Sequence, residues 1–153
     1  MDTLIHLVYA SSAARPFDRP ELLALLDKAR DTNGRLDVTG MLLYEDGNFF
    51  QVLEGLENVV VPLFWKISAD KRHRKTVKII QEPIAERSFG AWTMAFSAIT
   101  RQELNDIEGL NDFFGQGSVF SQLGSGRAKK LLAAFRDGRW RSKITRTAGM
   151  ATA

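Results

Sequence analysis

Apolar and polar residues follow two different periods along the first part of the chain. The run TLIHLVYAS alternates and is rich in Leu, Ile and Val, which predicts a first strand from about Thr3 to Ala10. Asp18 and Glu21 have the spacing of a capping box, and the apolar positions after them recur at i, i+3, i+4 and i+7. This segment is therefore predicted to be a helix that packs on a sheet and ends near Asn33-Gly34.

The next elements are predicted to be a hairpin and a second helix. VTGMLLY and FFQVLEG are apolar over much of both faces, and the link EDGN between them contains the Asp-Gly pair of a tight turn. The second helix is predicted from Asn58 to about Ala69. Pro62 is expected close to its first turn, because an interior proline removes a helix hydrogen bond.

Two further strand candidates, TVKIIQEPIAERS and FGAWTMAFSAI, complete the pattern. The order βαββαββ predicts an α+β fold of the ferredoxin-like kind, a sandwich with two helices on one sheet face. From Arg101 onward, RQELNDIEGL and SGRAKKLLAAFRDG predict two short C-terminal helices. We expect a domain over residues 1–100, a helical appendage over residues 101–138 and a basic, disordered tail over residues 139–153.

Composition narrows the class of protein. A chain of 153 residues with 44% hydrophobic residues supports one compact domain. It lacks both an apolar run of about 18 residues that would cross a bilayer and the features of a signal peptide, so we expect a cytoplasmic protein. Cysteine is absent and histidine occurs twice, which argues against disulfides, cysteinyl adducts and a zinc site. No nucleophile and base or pair of carboxylates stands out, so we expect no enzyme and no metal.

The net charge of +3 is unevenly distributed. Residues 127–146 carry eight Lys or Arg and one Asp, which leaves the rest of the chain acidic. Such a basic stretch suits nucleic acid, an acidic membrane or an acidic partner. It is also typical of a solvated helix end, which is the interpretation we favour.

A glutamine interrupts the apolar run GNFFQVLEG. In a strand, Phe49, Gln51 and Leu53 share one face, and the residues between them point to the other. Burying an amide without partners costs roughly 2 to 7 kcal/mol. Either the fold or a ligand must therefore provide a hydrogen-bond partner for Gln51.

Other polar candidates have ordinary structural explanations when each is taken alone. Tyr9 shares a strand face with Ile5, so its hydroxyl is predicted to be buried and to need a partner. Asn33 before a glycine is typical of a helix cap. Trp92 and Met94 have the spacing of core residues in a strand.

Taken together, these residues resemble a known family. The set consists of Tyr9 in the first strand, Asn33 after the first helix, the hairpin TGMLLY-EDG-NFFQVLEG with its glutamine, ISADKRH and WTM. Together it resembles the BLUF family of blue-light sensors using flavin. The resemblance covers roughly residues 1–100. Asp37 stands where the family more often has glycine.

The resemblance implies a blue-light photoreceptor with a flavin held non-covalently between the two helices. The flavin is usually FAD, with FMN and riboflavin as alternatives. Tyr9 is then the electron and proton donor, Gln51 is the hydrogen-bond switch between Tyr9 and the flavin, and Trp92 and Met94 relay the change.

The same resemblance implies a set of cofactor-binding residues. Asn33 matches the asparagine that hydrogen-bonds the polar edge of the flavin ring. Lys66, Asp70, Arg72 and His73 match positions that contact the ribityl or phosphate side, and a guanidinium suits a phosphate best among these groups.

The output of such a short chain is expected to lie in a separate partner. For this family a cyclic-dinucleotide enzyme or a transcriptional regulator is typical, and we expect a homo-oligomer, at least a dimer. The C-terminal helices are expected to dock on the sheet or on another subunit and to receive the signal from the last strand.

Two other classes of function fit parts of the pattern. An RNA-recognition domain shares the βαββαβ order and would use Phe49 and Phe50 as exposed stacking residues beside KRHRK. However, GNFFQVLEG lacks the basic start of that signature and ends in an acid. An oligomerisation domain, with Tyr9 and Gln51 satisfied in its core, would be colourless and indifferent to light.

Overall fold

The computed structural model describes residues 3–13, 15, 17–71, 73–90, 93–107 and 109–136. Its strands are β1 (Leu4–Ala13), β2 (Thr39–Glu45), β3 (Asn48–Leu56), β4 (His73–Pro83) and β5 (Ala95–Ala98). Its helices are α1 (Arg19–Leu36), α2 (Glu57–Ser68), α3 (Arg101–Asn105), α4 (Asn111–Gly115) and α5 (Ser125–Arg136), with a 3₁₀ turn at Phe120–Gln122. Up to β5, this is the predicted βαββαββ order.

The five strands form one mixed sheet in the order β4-β1-β3-β2-β5. β1 lies between β3 and β4 and is antiparallel to both, whereas β2 and β5 are parallel. The register places Tyr9 of β1 directly opposite Gln51 of β3. The prediction of an α+β ferredoxin-like fold is confirmed, and the two polar residues of interest are cross-strand neighbours.

The two faces of the sheet are covered by different parts of the chain. α1 and α2 cover the face that we call the helix-pair face, with a core that includes Leu7, Tyr9, Phe49 and Leu53. The opposite face, which we call the C-terminal face, is covered by the residues after β5. Its core is formed by Val8, Ala10, Met41, Leu43, Phe50 and Val52 of the sheet, with side chains of α3, α4 and α5. The C-terminal helices therefore pack on the sheet of their own chain.

Helix α1 begins as predicted but ends later. Asp18 caps it, accepting a hydrogen bond from the backbone N–H of Glu21 at 2.9 Å, while the Glu21 side chain accepts one from the N–H of Asp18. The predicted end at Asn33-Gly34 is wrong, because the helix continues to Leu36. Asp37 closes it in the left-handed conformation, with φ of 55°. This backbone explains why glycine suits the position of Asp37, since glycine adopts positive φ at little cost.

Three other elements differ from expectation. Pro62 lies in the second turn of α2 because β3 leads straight into a helix that begins at Glu57. Burial of Val60, Leu63 and Phe64 in the core compensates for the hydrogen bond that this proline removes. The last strand is shorter than predicted and begins at Ala95. The short helix α4 was not predicted, because two adjacent phenylalanines give no helical period.

Within the described residues, no helix is long and apolar enough to span a membrane. The tail predicted over residues 139–153 lies outside the described residues.

Candidate functional site

A cavity opens between α1 and α2 above the helix-pair face. The cavity has a volume of about 130 Å³. Its apolar walls are Leu25, Ala29, Leu42, Phe49, Leu63 and Ile67, and its polar lining is Tyr9, Lys28, Thr32, Asn33, Gln51, Lys66 and Asp70. Mostly apolar walls with a few polar groups are the composition of a ligand site.

Tyr9 lies at this cavity and is almost completely buried. Its ring packs edge-on against Phe64 at a centroid distance of 5.2 Å, and its hydroxyl donates a hydrogen bond to Oε1 of Gln51. Burial raises the pKa of Tyr9 well above the usual range of a tyrosine. The side chain therefore stays a neutral phenol that donates its proton toward Gln51.

Gln51 connects Tyr9 to the segment before β5. Its carbonyl oxygen accepts from Tyr9, and its Nε2 donates to the thioether sulfur of Met94 at 3.6 Å. A thioether is a weak acceptor, so the NH2 group of Gln51 is held less firmly than its carbonyl. The amide can therefore exchange this donor contact for another partner at low cost.

The helix α1 holds the same segment from the other side. Nδ2 of the buried Asn33 donates to the backbone carbonyl of Thr93 at 2.8 Å, and Nε of Arg30 donates to that of Met94 at 3.1 Å. Burial lowers the pKa of Arg30 from its usual value, although nearby Asp27 opposes this shift. Asn33 is thus a side chain that faces the core and the cavity, and its interpretation as a helix cap is wrong.

The remaining candidate residues divide into two groups. Lys66 and Asp70, at and just after the end of α2, line the cavity together with Tyr9, Asn33 and Gln51. Arg72 and Trp92 lie outside the described residues, and His73 is described only as the first residue of β4.

Four residues of α1 line the cavity but were not predicted as site residues. They are Leu25, Lys28, Ala29 and Thr32. Leu25 and Ala29 precede Asn33 at intervals of four, so they lie on the same helix face. That spacing was the available signal, and it was used only to predict packing on the sheet.

The residues that line the cavity suit a flat aromatic cofactor with a polar edge, such as the isoalloxazine ring of a flavin. Asn33 and Gln51 provide buried amide groups with both donors and acceptors, and Lys28 and Lys66 provide positive charge. Among the described residues, no cluster of side chains could hold a metal ion.

The alternative of an RNA-recognition surface is wrong for this sheet. Phe49 and Phe50 are both buried, one under each covered face. Stacking of bases requires exposed aromatic rings on the sheet, so neither phenylalanine is available for it.

A sequence profile of one family matches most of the sheet and its helices. The family is described as sensors of blue-light using FAD, or BLUF, and the match covers residues 4–95, more than half of the chain. The chain belongs to the BLUF family. One BLUF relative, the photoactivated adenylate cyclase subunit beta of Euglena longa, is 39% identical over 115 residues. The aligned region is 74% of this chain but 13% of that much longer protein.

Solved BLUF structures share the fold. BlsA in its ground state superposes with a TM-score of 0.70 at 31% identity, over 87% of each chain. Klebsiella pneumoniae BlrP1 with FMN and cyclic diGMP superposes with a TM-score of 0.61 at 32% identity, over 90% of this chain and 36% of that one. The BLUF prediction made from the sequence is therefore confirmed by both kinds of comparison.

Proposed function

We propose that this BLUF chain is a blue-light receptor in which the flavin occupies the cavity between α1 and α2 and Tyr9 and Gln51 form the photochemical switch. The observation that carries the proposal is the row of hydrogen bonds from Tyr9 through Gln51 to Met94 beside that cavity. The row connects the ligand site to a segment outside it, as a sensor requires.

A flavin bound there would supply a chromophore for blue light and an acceptor for one electron and one proton. In our proposal Tyr9 would give both and would regain both once Gln51 has changed its hydrogen bonds. Its hydroxyl is a neutral phenol hydrogen-bonded to Gln51, so its proton leaves along a bond that already exists. The surroundings are buried, which strengthens each hydrogen bond relative to one in water.

Gln51 then records the event by changing its hydrogen bonds. Rotation of its amide about the last side-chain bond exchanges the positions of its carbonyl and NH2 groups. The donor contact with Met94 is lost at low cost because sulfur is a weak acceptor. The NH2 group of Gln51 would then be available to donate to a flavin held in the cavity, and a stronger hydrogen bond to the ring would shift absorption to the red.

The flavin is proposed to be FAD, the cofactor in the description of the family. We propose that Lys28, Lys66 and Asp70, which line the cavity, contact the part of the cofactor beyond the ring, and we propose the same for Arg72 and His73. Extraction of the bound flavin and chromatography against FAD, FMN and riboflavin identifies the species.

The output is proposed to be non-enzymatic and to act through a separate protein. The matched region is the sensor region of the family, and the relatives carry cyclase or cyclic-diGMP functions in much longer chains. We propose residues 1–100 as the sensor domain and residues 101–138 as the segment that transmits the signal. We further propose that the chain is cytoplasmic and at least dimeric. Light scattering after gel filtration measures its oligomeric state.

The decisive experiment is the visible spectrum of the protein purified under dim light, before and after blue illumination. We expect a yellow protein whose flavin band moves to the red and recovers in darkness. Tyr9→Phe should bind flavin but lose the shift entirely, because its ring has no proton to give. Gln51→Leu should also bind flavin and form no normal photoproduct.

The matched control is Tyr44→Phe. Tyr44 is the other tyrosine of the chain and also lies in the core of the helix-pair face, where its hydroxyl accepts from the backbone N–H of Phe17 at 2.9 Å. This variant should keep the red shift. A shift retained in Tyr9→Phe would refute the donor role, and a colourless protein that cannot take up flavin would refute the receptor.

A further inference from the structure

A glutamate with no contact to the cavity holds the segment that leads to β5. Glu54 lies three residues after Gln51 on β3, on the opposite face of the sheet, and its exposure is 0%. Its Oε2 accepts from the backbone N–H of Ser88 at 2.7 Å, and its Oε1 accepts from that of Phe89 at 3.0 Å. Thr39 of β2 donates to Oε1 as well, at 2.9 Å.

Arg87 holds the same region by donating hydrogen bonds from the segment, whereas Glu54 accepts hydrogen bonds from it. Its Nη1 donates to the hydroxyl of Thr39 at 2.9 Å and to the backbone carbonyl of Glu54 at 3.2 Å. Its Nη2 donates to the carbonyl of Asp37 at 2.8 Å. Residues 87–89 are thereby tied to β2, to β3 and to the end of α1.

The far end of the segment is held by the proposed switch. Met94 contacts Gln51 through its sulfur, and Asn33 and Arg30 hold the carbonyls of residues 93 and 94. β3 thus contacts both ends of the stretch 87–94, at one end through Glu54 and at the other through Gln51. The two contacts differ in strength, because Glu54 accepts two backbone hydrogen bonds and Gln51 donates only to a thioether.

This difference makes residues 88 and 89 an anchor, whereas the side-chain contact between Met94 and Gln51 is easily exchanged. A completely buried acid that loses its donors is strongly disfavoured, so residues 88 and 89 cannot leave Glu54 easily. Phe89 also packs edge-on against Phe135 of α5 at 5.5 Å, which extends the anchored end to the C-terminal helix.

We propose that Glu54 is a positioning residue of the photoswitch. It fixes residues 87–89, so that the segment presents Met94 to Gln51 and returns to that arrangement after light. This inference rests on the proposed function for its kinetic part, and its structural part stands independently of the flavin.

The test compares Glu54→Gln with Glu45→Gln. The amide keeps the size of Glu54 but replaces one acceptor oxygen by an NH2 group, which cannot accept a backbone N–H. Glu45 at the end of β2 is another buried glutamate, with 6% of its surface exposed. It forms an ion pair with Arg101 of α3 at 2.9 Å, and none of its described hydrogen-bond or ion-pair partners lies in residues 87–94. It therefore controls for the loss of a buried glutamate as such.

Two measurements are made on each variant. Hydrogen exchange in darkness, in peptides that cover residues 84–94, should become about tenfold faster in Glu54→Gln and stay unchanged in Glu45→Gln. Dark recovery of the flavin band after blue light should slow by about fivefold in Glu54→Gln, because the restoring contact is weaker, while flavin is still bound.

The outcomes separate the two ideas. Unchanged exchange and unchanged recovery in Glu54→Gln would overturn the positioning role. Absence of any light response in the unmodified protein would refute the proposed function, and the exchange result would still decide whether Glu54 anchors the segment. If Glu54→Gln does not fold, Arg87→Met removes the second set of ties and must give the same pair of changes.

Discussion

The two faces of the sheet differ in how their cores are completed. The C-terminal face is filled by aromatic side chains, namely Phe50, Phe89, Phe113, Phe114, Phe120 and Phe135, all of which are buried. The helix-pair face has buried aromatic rings too, but it keeps a cavity lined by Tyr9, Asn33 and Gln51. The helix-pair face thus carries the cavity with the buried amides, whereas the cavity on the C-terminal face is lined by polar residues such as His6, Glu82 and Lys129.

This contrast explains how polar residues can be buried in the sheet. On the C-terminal face the buried Glu54 accepts two backbone hydrogen bonds and one from Thr39, so its oxygens are satisfied within the fold. On the helix-pair face Gln51 has one strong and one weak partner, which leaves hydrogen-bonding capacity for a ligand. Burial alone therefore does not identify a ligand-binding polar residue, whereas weak partners beside a cavity indicate one.

The largest effect on stability is expected from a cavity made in the core of the C-terminal face. Phe135→Ala should lower the free energy of unfolding by about 3 to 5 kcal/mol, because it removes a buried ring from a packed core. Urea denaturation measures this loss. Trp65→Ala, at a position 60% exposed on α2, is the control and should change stability by less than about 0.5 kcal/mol. A loss below about 1 kcal/mol in Phe135→Ala would contradict the difference between the faces.

The second effect concerns the helix-pair face, where a larger side chain in the cavity should prevent the ligand from binding. Ala29→Trp puts a large ring into the cavity wall and should reduce bound flavin per protein at least about tenfold. Flavin at one hundred times its Kd should stabilise the unmodified chain by about 2.7 kcal/mol and leave the variant unaffected. Thermal denaturation with and without flavin measures both. Leu36→Trp, at an exposed site of the same helix, should bind normally. Normal flavin binding by Ala29→Trp would place the ligand elsewhere.

The smallest effect is expected from the charges that join α5 to the sheet. Glu82 of β4 accepts a hydrogen bond from His6 at 2.9 Å and lies 3.5 Å from Lys129 of α5. The hydrogen bond with His6, with help from Lys129, holds the pKa of Glu82 below its usual value. Because the carboxyl is 38% exposed, Glu82→Gln should cost only about 0.5 kcal/mol near pH 7.

This cost should depend on pH in one direction. A carboxyl whose pKa is lower in the folded state stabilises the protein above its unfolded pKa of about 4.3, and this stabilisation is lost as the pH falls through the folded value. The difference between the unmodified chain and Glu82→Gln should therefore vanish in acid, while Glu86→Gln at an exposed site should change stability little near pH 7. A large loss of stability in Glu82→Gln at pH 7 would mean that charge, and not packing, holds α5 in place.

The sequence predicted the sheet better than it predicted the helix ends. Period-two alternation assigned Phe49 and Gln51 to one face of their strand and Tyr9 to the same face as Ile5 in another strand, and both faces belong to the helix-pair face in the structure. The end of α1 was misplaced because Asn33-Gly34 has the local chemistry of a helix stop, and a tertiary hydrogen bond to Thr93 instead keeps Asn33 in the helix. Local propensity was overridden by packing.

The candidate site was partly predictable for similar reasons. Tyr9 and Gln51 were candidates because polar groups in apolar strands need partners, and the resemblance to the BLUF family assigned their roles. Glu54 was not, because an acid near the end of a strand is ordinarily exposed and its partners come from a loop 34 and 35 positions away. No periodicity of the sequence reports such a long-range contact, and only the folded chain reveals it.

The cross-strand position of Tyr9 and Gln51 has a consequence for how the gene can change. The two residues are 42 positions apart in the chain, yet the ladder of β1 and β3 sets them opposite each other. An insertion or deletion of one residue within either strand would turn one partner to the other face. Insertions and deletions are therefore compatible with the proposed switch only in the loops and helices that connect the strands. Keeping the pair requires the register between β1 and β3 to be kept, and not only the two residue types.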